Sequence, residues 1–277
     1  MRIQVTLTSS ESKRLVAKGV ANLESVKRAF KHGIIVLSRS TTNAYVYEEL
    51  TGQRIEPERY CCGIITTYGT CISKHVFDQS YQTFVLVDGK PIQTNSSHRL
   101  PDYVNQMDSE DIFIKSGNVL DSMGVAATIV GDPTGGEIGQ LKAILAKDAK
   151  LIVPVTINKT IPLSIEKVKE ACGIEGTKRS MGMPITLLPL PGLVVTELDA
   201  IKLLTGANTT PISTLDTEGK GTVTLTINGS PKQVEDAWKL LSETKGETPI
   251  MVERIACSMC PASTCHSSGR RQKEANN

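Results

Sequence analysis

Short aliphatic runs that stay apolar from end to end, instead of alternating, punctuate the first 160 residues: Ile34 to Leu37, Gly63 to Thr67, Thr83 to Val87, Asp111 to Ile114, Ala126 to Val130 and Leu151 to Ile157. Bounded by turn residues, such runs read as strands, Gly63 to Thr67 being the marginal one. Unbroken hydrophobicity means that both faces of the sheet must be covered. Helical stretches alternate with them, Ala44 to Leu50 after the first and Ile138 to Lys147 before the last. Together they predict an α/β fold, a mostly parallel Rossmann-like sheet with helices on both faces. The segment from Ala126 to Ile157 reads as a βαβ unit. Asp88-Gly89 could close a local hairpin, which would make the sheet mixed.

At 277 residues the chain is long enough for two cores. The predicted division is 1–160 as the α/β ligand-binding domain, 161–250 as a smaller ferredoxin-like α+β domain, and 251–277 as a mobile cysteine-containing tail. In the first part, Thr8 and Glu11 have capping-box spacing ahead of Leu15, Val16, Ala17 and Val20. A second helix is expected from Glu24 to Lys31, with Gly33 as its C-terminal cap. After Pro162 come a helix from Ser164 to Ala171, a short strand Ile185 to Leu188, and a helix Glu197 to Leu204. An alternating strand Thr222 to Ile227 follows, then a helix opened by Ser230-Pro231 that sets Val234, Ala237, Trp238 and Leu241 on one stripe.

Composition narrows the partners. The chain has 31 basic and 29 acidic residues for a net charge of +2, dispersed so that no basic stripe follows a nucleic-acid backbone. Hydrophobic residues at 39% supply a real core, and aromatics at 4% make that core aliphatic. No apolar run reaches the roughly 18 residues of a membrane span. Met1 to Leu15 carry Arg2, Glu11, Lys13 and Arg14 and no secretory h-region. Seven scattered cysteines suit reduced thiols, so a cytoplasmic location is expected.

Three constellations could carry chemistry. In IIVLSRSTTNAYVYEEL a strand runs through Ser38, Arg39, Ser40, Thr41 and Thr42 into a helix, whose free N-H groups and dipole would attract a phosphate or carboxylate. Arg39 could add a two-pronged contact. The plain reading is N-capping by Ser40 or Thr41. In AATIVGDPTGGEIGQL, Gly131, Gly135, Gly136 and Gly139 surround the next strand-to-helix turn and would let backbone approach a ligand, unless they only shape a tight turn. Neither a P-loop nor a dinucleotide fingerprint is present. Between them DIFIKSGNVLD places Lys115, Ser116, Gly117 and Asn118 at a strand end, where parallel sheets bind ligands.

The pairing of IIVLSRSTTNAYVYEEL with DIFIKSGNVLD and a later glycine-rich turn resembles the superfamily of ribose-phosphate isomerases, glucosamine-phosphate deaminases and CoA transferases over roughly Glu11 to Lys159. The resemblance implies that Ser38 to Thr42 are the phosphate cradle, with its hydroxyls kept and both glycines lost. The acidic strand end of the isomerases falls on Lys115 to Val119, where every acid is absent. Carboxylates move the protons in those isomerases, and Lys115 and Asn118 are no substitute. Glu137 is then the carboxylate placed for acid-base or nucleophilic work, with Asp132 and Asp121 as weaker candidates, and the plain reading makes Glu137 a solvated first-turn residue.

The third constellation is Cys257-x2-Cys260-x4-Cys265-His266, whose thiolates could ligate zinc or an iron-sulfur cluster. The fourth ligand is open, with Cys61-Cys62 as a pair that could approach in space. The expected activity is binding of a phosphorylated metabolite or a nucleotide-like or CoA ligand by Arg39, Ser40, Thr41, Thr42, Asn118, Gly135 and Gly136. Lys115 and Glu137 would be the catalytic groups of an isomerase- or transferase-related enzyme. The rival expectation is a non-catalytic sensor or scaffold that forms a homo-oligomer through its second domain.

Overall fold

A computed structural model describes residues 1–94, 99–135, 139, 141–214 and 221–265. The chain opens with β1 (Arg2–Leu7), α1 (Ser9–Asn22), α2 (Glu24–His32), β2 (Ile34–Leu37) and α3 (Thr41–Thr51). Two hairpins follow, β3 (Gly63–Thr66) with β4 (Gly69–Ile72) and β5 (Phe84–Val87) with β6 (Lys90–Gln93), then α4 (Leu100–Val104), β7 (Ile112–Ile114), β8 (Val119–Asp121) and β9 (Ala126–Val130). Next come α5 (Leu141–Leu145), β10 (Lys150–Pro154), β11 (Thr160–Ile161), α6 (Ile165–Ala171), β12 (Thr186–Pro189) and β13 (Leu193–Val195). The last elements are α7 (Glu197–Thr205), β14 (Asn208–Ser213), β15 (Val223–Asn228) and α8 (Pro231–Thr244).

The result is a mixed α/β protein built on a sheet of order β13-β10-β7-β2-β5-β6. Its first four strands are parallel and β5 and β6 are antiparallel. Both faces are buried, as the unbroken runs require. Ile35, Leu37, Ile112, Ile114 and Ile152 pack under α1, α2 and α3 with Val16, Val26 and Ala44. Val36, Phe113, Leu151 and Val153 face the other way, into a core shared with Leu225 and Ile227 of β15, Ala200 of α7 and Ala237 of α8.

Sequence order and sheet membership part company at several points. β1 was not expected as a strand, yet RIQVTL pairs antiparallel with β15 in a sheet of order β1-β15-β14. Strand β13 lies in the main sheet. Sheets therefore take strands from both sides of the expected boundary at 160. The expected βαβ unit from Ala126 to Ile157 is absent: β9 belongs to the sheet β11-β8-β9-β12 and β10 to the main sheet, so the two strands that flank α5 are not neighbours. The run AATIV is apolar enough for a main-sheet strand, but its antiparallel partners β8 and β12 satisfy its backbone instead.

Local signals fared better. Thr8 and Glu11 close the expected capping box reciprocally. Asp88 and Gly89, with φ of 48° and 74°, turn the β5–β6 hairpin. Gly33 does follow α2, but with extended backbone; its small size is needed because a Cβ there would lie 2.6 Å from Asp111 Oδ1. Asp111 holds that strand start by accepting the Ile34 and Asp108 N–H groups at 2.7 and 2.8 Å. Trp238 is 48% exposed, off the buried stripe of Val234, Ala237 and Leu241.

Of the segment expected to be a tail, residues up to Cys265 are docked. Ile255 N–H donates to Ile72 O, Lys74 N–H to Glu253 O, and Ser73 and Arg254 form an antiparallel bridge, so this stretch extends the edge of β4. Further along the same edge β4 is clamped to 181–183, where a Cβ on Gly182 (φ 80°) would lie 2.2 Å from Thr70 O, while its other edge pairs with β3.

Candidate functional site

The four parallel strands end side by side. Each end is continued by backbone hydrogen bonds that bring the following loops level: Ser38 N–H to Ile114 O, Lys115 N–H to Ile152 O, Gly117 N–H to Pro154 O and Val155 N–H to Val195 O. After β2 the chain goes first to β5 on one side and returns to β7 on the other, so its winding reverses beside β2. The carboxyl ends of parallel strands are where open α/β sheets bind ligands. Into this region come Ser38, Arg39 and Ser40 after β2, Lys115 and Ser116 after β7, Asn158 and Lys159 after β10, and Glu197 after β13.

Two of the predicted loops meet. Ser40 Oγ donates to Ser116 Oγ at 2.9 Å, and Ser116 Oγ to Asn43 Oδ1 at 3.3 Å. Buried Asn43 donates through Nδ2 to Ser38 O and Ile114 O at 2.8 and 3.0 Å, locking the ends of β2 and β7 together. Ser40 Oγ also accepts the Asn43 N–H as the N-cap of α3, so the hydroxyl turn acts as the plain reading held. Thr41 and Thr42 open the same helix, Thr42 buried beneath it.

The other predicted residues are placed differently. Asn118 Oδ1 is taken by Thr128 Oγ1 and Ile129 N–H at 2.9 and 3.0 Å, fastening β9. Gly135 lies beyond β9, on the smaller sheet, and its N–H closes a turn to Asp132 O. Gly136 and Glu137 fall outside the described residues. Asp121, a weaker acid candidate, is buried and spends its carboxylate on the N–H groups of Met123, Val125 and Ile165.

What converges instead is charge. Tyr60, fully buried, donates its hydroxyl to Leu37 O and accepts the Phe84 N–H, which fixes the neighbouring Cys61 near the end of β2. Burial pushes the Cys61 thiol up, and the cations of Lys13, Lys159, Arg39 and Lys115 all act on it in the opposite sense. Arg39 is steadied by its Nη1 bond to Val76 O at 2.8 Å, and Lys159 by its Nζ bond to Gly117 O at 2.9 Å. Burial first, and repulsion from Lys13 second, lower Lys159 to about 8. Lys13 is also lowered by burial. Across the crevice burial pushes the Glu197 carboxyl up to about 7, against backbone hydrogen bonds and the Lys159 charge. Its Oε2 accepts the Ile157 N–H at 3.0 Å, while Oε1 and the neighbouring buried Ser12 Oγ complete no hydrogen bond.

Beside Lys13 a cavity of about 280 Å³ opens over the first turn of α1, lined by Thr8, Ser9, Ser10, Gly221 and Pro249 to Met251. Sequence reasoning missed Lys13, Cys61, Lys159 and Glu197 as site residues. A usable signal existed for two of them, since Lys159 follows the Leu151 to Ile157 run and Glu197 follows the strand Leu193–Val195.

The C-terminal cysteines lie elsewhere. Cys257, Cys260 and Cys265 line a second, small cavity with Cys71, while Cys61, one of the pair expected to approach them, belongs to the crevice. Among the described residues no three His, Cys, Asp or Glu side chains stand at ligand distance from a common point. No described helix is long and apolar enough to cross a membrane. No protein-family model matches the chain, and no curated protein matches it.

Proposed function

We propose that this protein binds a small phosphorylated metabolite in the crevice at the C-terminal ends of β2, β7, β10 and β13. The observation that carries the reading is the convergence of four cations, Lys13, Arg39, Lys115 and Lys159, on the single point occupied by the Cys61 thiol. Like charges this near repel one another, as Lys13 does Lys159, and a bound dianion would offset that repulsion. The cavity beside Lys13 would take the body of the ligand. Its volume lies near the lower end of ligand-sized pockets, of roughly 300–1,000 Å³, which favours a sugar-phosphate-sized molecule over a CoA ester or a dinucleotide.

The Rossmann-like reading of the parallel strands, the ferredoxin-like reading of 161–250, and the resemblance to the ribose-phosphate isomerase, deaminase and CoA-transferase superfamily agree with a ligand at this edge. The contact of Ser40 with Ser116, which joins the two loops that carry the resemblance, supports it. Lys115 contributes charge here, and Arg39 the nearest fork for a phosphate.

The test is thermal-shift screening of the whole chain against inorganic phosphate, pentose and hexose phosphates, nucleotides and CoA esters, since a ligand of the folded state raises the melting point by mass action. At least one sugar phosphate should do so, and Lys159→Met should weaken it by about tenfold or more, the 1.4 kcal/mol worth of one charge-assisted contact. An unchanged affinity in Lys159→Met, or no shift with any phosphate at millimolar concentration, would remove the reading.

A second reading, catalysis, is favoured by one observation: an amine lowered to about 8 and a carboxyl raised to about 7 at neighbouring strand ends. Groups so poised exchange protons near neutral pH. Turnover of the bound metabolite that disappears in Glu197→Gln while binding persists separates an enzyme from a sensor.

A further inference from the structure

We propose that Cys71, Cys257, Cys260 and Cys265 together bind one divalent ion of the zinc class, with Cys71 as the fourth ligand that the C-terminal motif lacks. All four side chains line one cavity of about 20 Å³, otherwise bounded by Thr70, Ile72, Met183, Arg254 and Ile255. Separation along the chain hides the set: 185 residues lie between Cys71 and Cys257. Strand pairing brings them together. Ile255 donates its N–H to Ile72 O at 2.9 Å, so Cys257 emerges just past the residue next to Cys71. The chain then makes a 3₁₀ turn over Cys257–Met259, with Cys260 N–H donating to Cys257 O. Residues three apart eclipse in such a turn, which turns both sulfurs of the Cys-x-x-Cys pair to one side. Cys265 returns to the cavity buried, and neighbouring Thr264 is anchored by its Oγ1 bond to Gly131 O at 3.1 Å.

The chemistry suits a thiophilic ion. Four thiolates in a mostly apolar enclosure form the tetrahedral set of structural zinc sites, with bonds of about 2.3 Å. The sulfurs surround the cavity at wider spacing than that, so binding draws them inward by side-chain rotation. Arg254 Nη1 donates to Cys257 Sγ at 3.2 Å, an outer contact that would orient this ligand. The cavity of about 20 Å³ has room for about one water-sized group, which suits a single ion better than a cluster of irons and sulfides. The ion replaces the thiol protons, which go to solvent, and no electron is transferred. All seven cysteines are free thiols, so none of the four is committed to a disulfide.

The experiment uses the full chain, reduced and stripped of metal, then titrated with Zn²⁺ and with Co²⁺ as a spectroscopic probe. One equivalent should bind, and the sulfur-to-cobalt charge-transfer band should lose about a quarter of its intensity in Cys71→Ser, one ligand of four. Zinc affinity in that variant should fall by more than the roughly 10- to 100-fold cost of an outer-sphere change. Cys172→Ser, on the far end of α6, should alter neither. Should Cys71→Ser fail to fold, alkylation mapping of the wild-type chain gives the same answer: zinc should protect Cys71, Cys257, Cys260 and Cys265 together and leave Cys172 reactive. Protection without Cys71, a cobalt spectrum indifferent to Cys71→Ser, visible iron–sulfur absorption in the purified chain, or no stoichiometric metal uptake would each overturn the proposal.

Discussion

Glu197→Gln should stabilise this protein, and increasingly so as the pH rises from about 4.5 to 7. The Glu197 side chain is fully buried; one carboxylate oxygen holds the Ile157 N–H and the other completes no hydrogen bond. Burial raises its pKa from 4.5 to about 7. Between those two values the unfolded chain has released the proton and the folded chain keeps it, so stability falls as pH rises through that window. At about 1.4 kcal/mol per pH unit, the ionised carboxylate costs the folded state on the order of 3 kcal/mol above pH 7. A neutral glutamine removes that cost, and its new N–H group can use Ser12 Oγ as an acceptor. That cost already includes the attraction of Lys159, so the expected stabilisation is about 3 kcal/mol at pH 8.5 and under about 1 kcal/mol at pH 5, where the folded Glu197 is neutral. Urea unfolding followed by far-UV circular dichroism at the two pH values measures it. A difference that is the same at both, or a variant less stable at pH 8.5, would refute the assignment of Glu197 as an ionised, under-solvated group.

Lys159, lowered to about 8, carries its charge below that pH and loses it above. Affinity for inorganic sulfate, whose own charge is constant in this range, should fall by about tenfold between pH 7 and pH 9, and Lys159→Arg should flatten the profile; isothermal titration checks both. Asn43→Ala deletes the donor shared by Ser38 O and Ile114 O; Ile114 O keeps the Ser38 N–H and hydroxyl while Ser38 O loses its side-chain donor, so about 1–2 kcal/mol of stability should be lost, measured as a shift in the urea midpoint. Arg14 is buried among Glu48, Glu49 and Glu247 and lies 4.1 Å from the centre of the Tyr45 ring. Arg14→Ala removes the buried partner of Glu48, which keeps Arg54 and the Ile55 N–H, and should cost about 1.5–3 kcal/mol, whereas an exposed pair such as Arg99 with Asp102 should cost under about 1 kcal/mol.

Much of the local structure could be read before any coordinates. Runs such as IIVL and IFI are strands because nothing in them tolerates water on either face, and Thr8 with Glu11 starts a helix because the two side chains satisfy each other's backbone amides within three residues. The candidate site was legible only in outline. Lys115 and Arg39 were placed at strand ends from the pattern of the runs, and both reach the cationic crevice. Ser40 was read correctly as a potential cap, but capping consumed the hydroxyl proposed for the ligand. Gly135 was grouped with Ser40 on the premise that both follow neighbouring strands, and that premise failed when β9 took its partners from another sheet.

Pairing is where the sequence runs out. An apolar run states that a strand exists and which faces it buries, since that follows from its own side chains; it does not state which carbonyls its amides will meet, because every backbone offers the same donors and acceptors. Tertiary structure made that choice. By setting β1 beside β15 and β13 beside β10, it gathered Lys13, Cys61, Lys159 and Glu197 from four distant segments. By laying 253–255 along β4, it set Cys71 against Cys257, Cys260 and Cys265. Residues that share no local periodicity can be brought together only by long-range packing, and both sites depend on it.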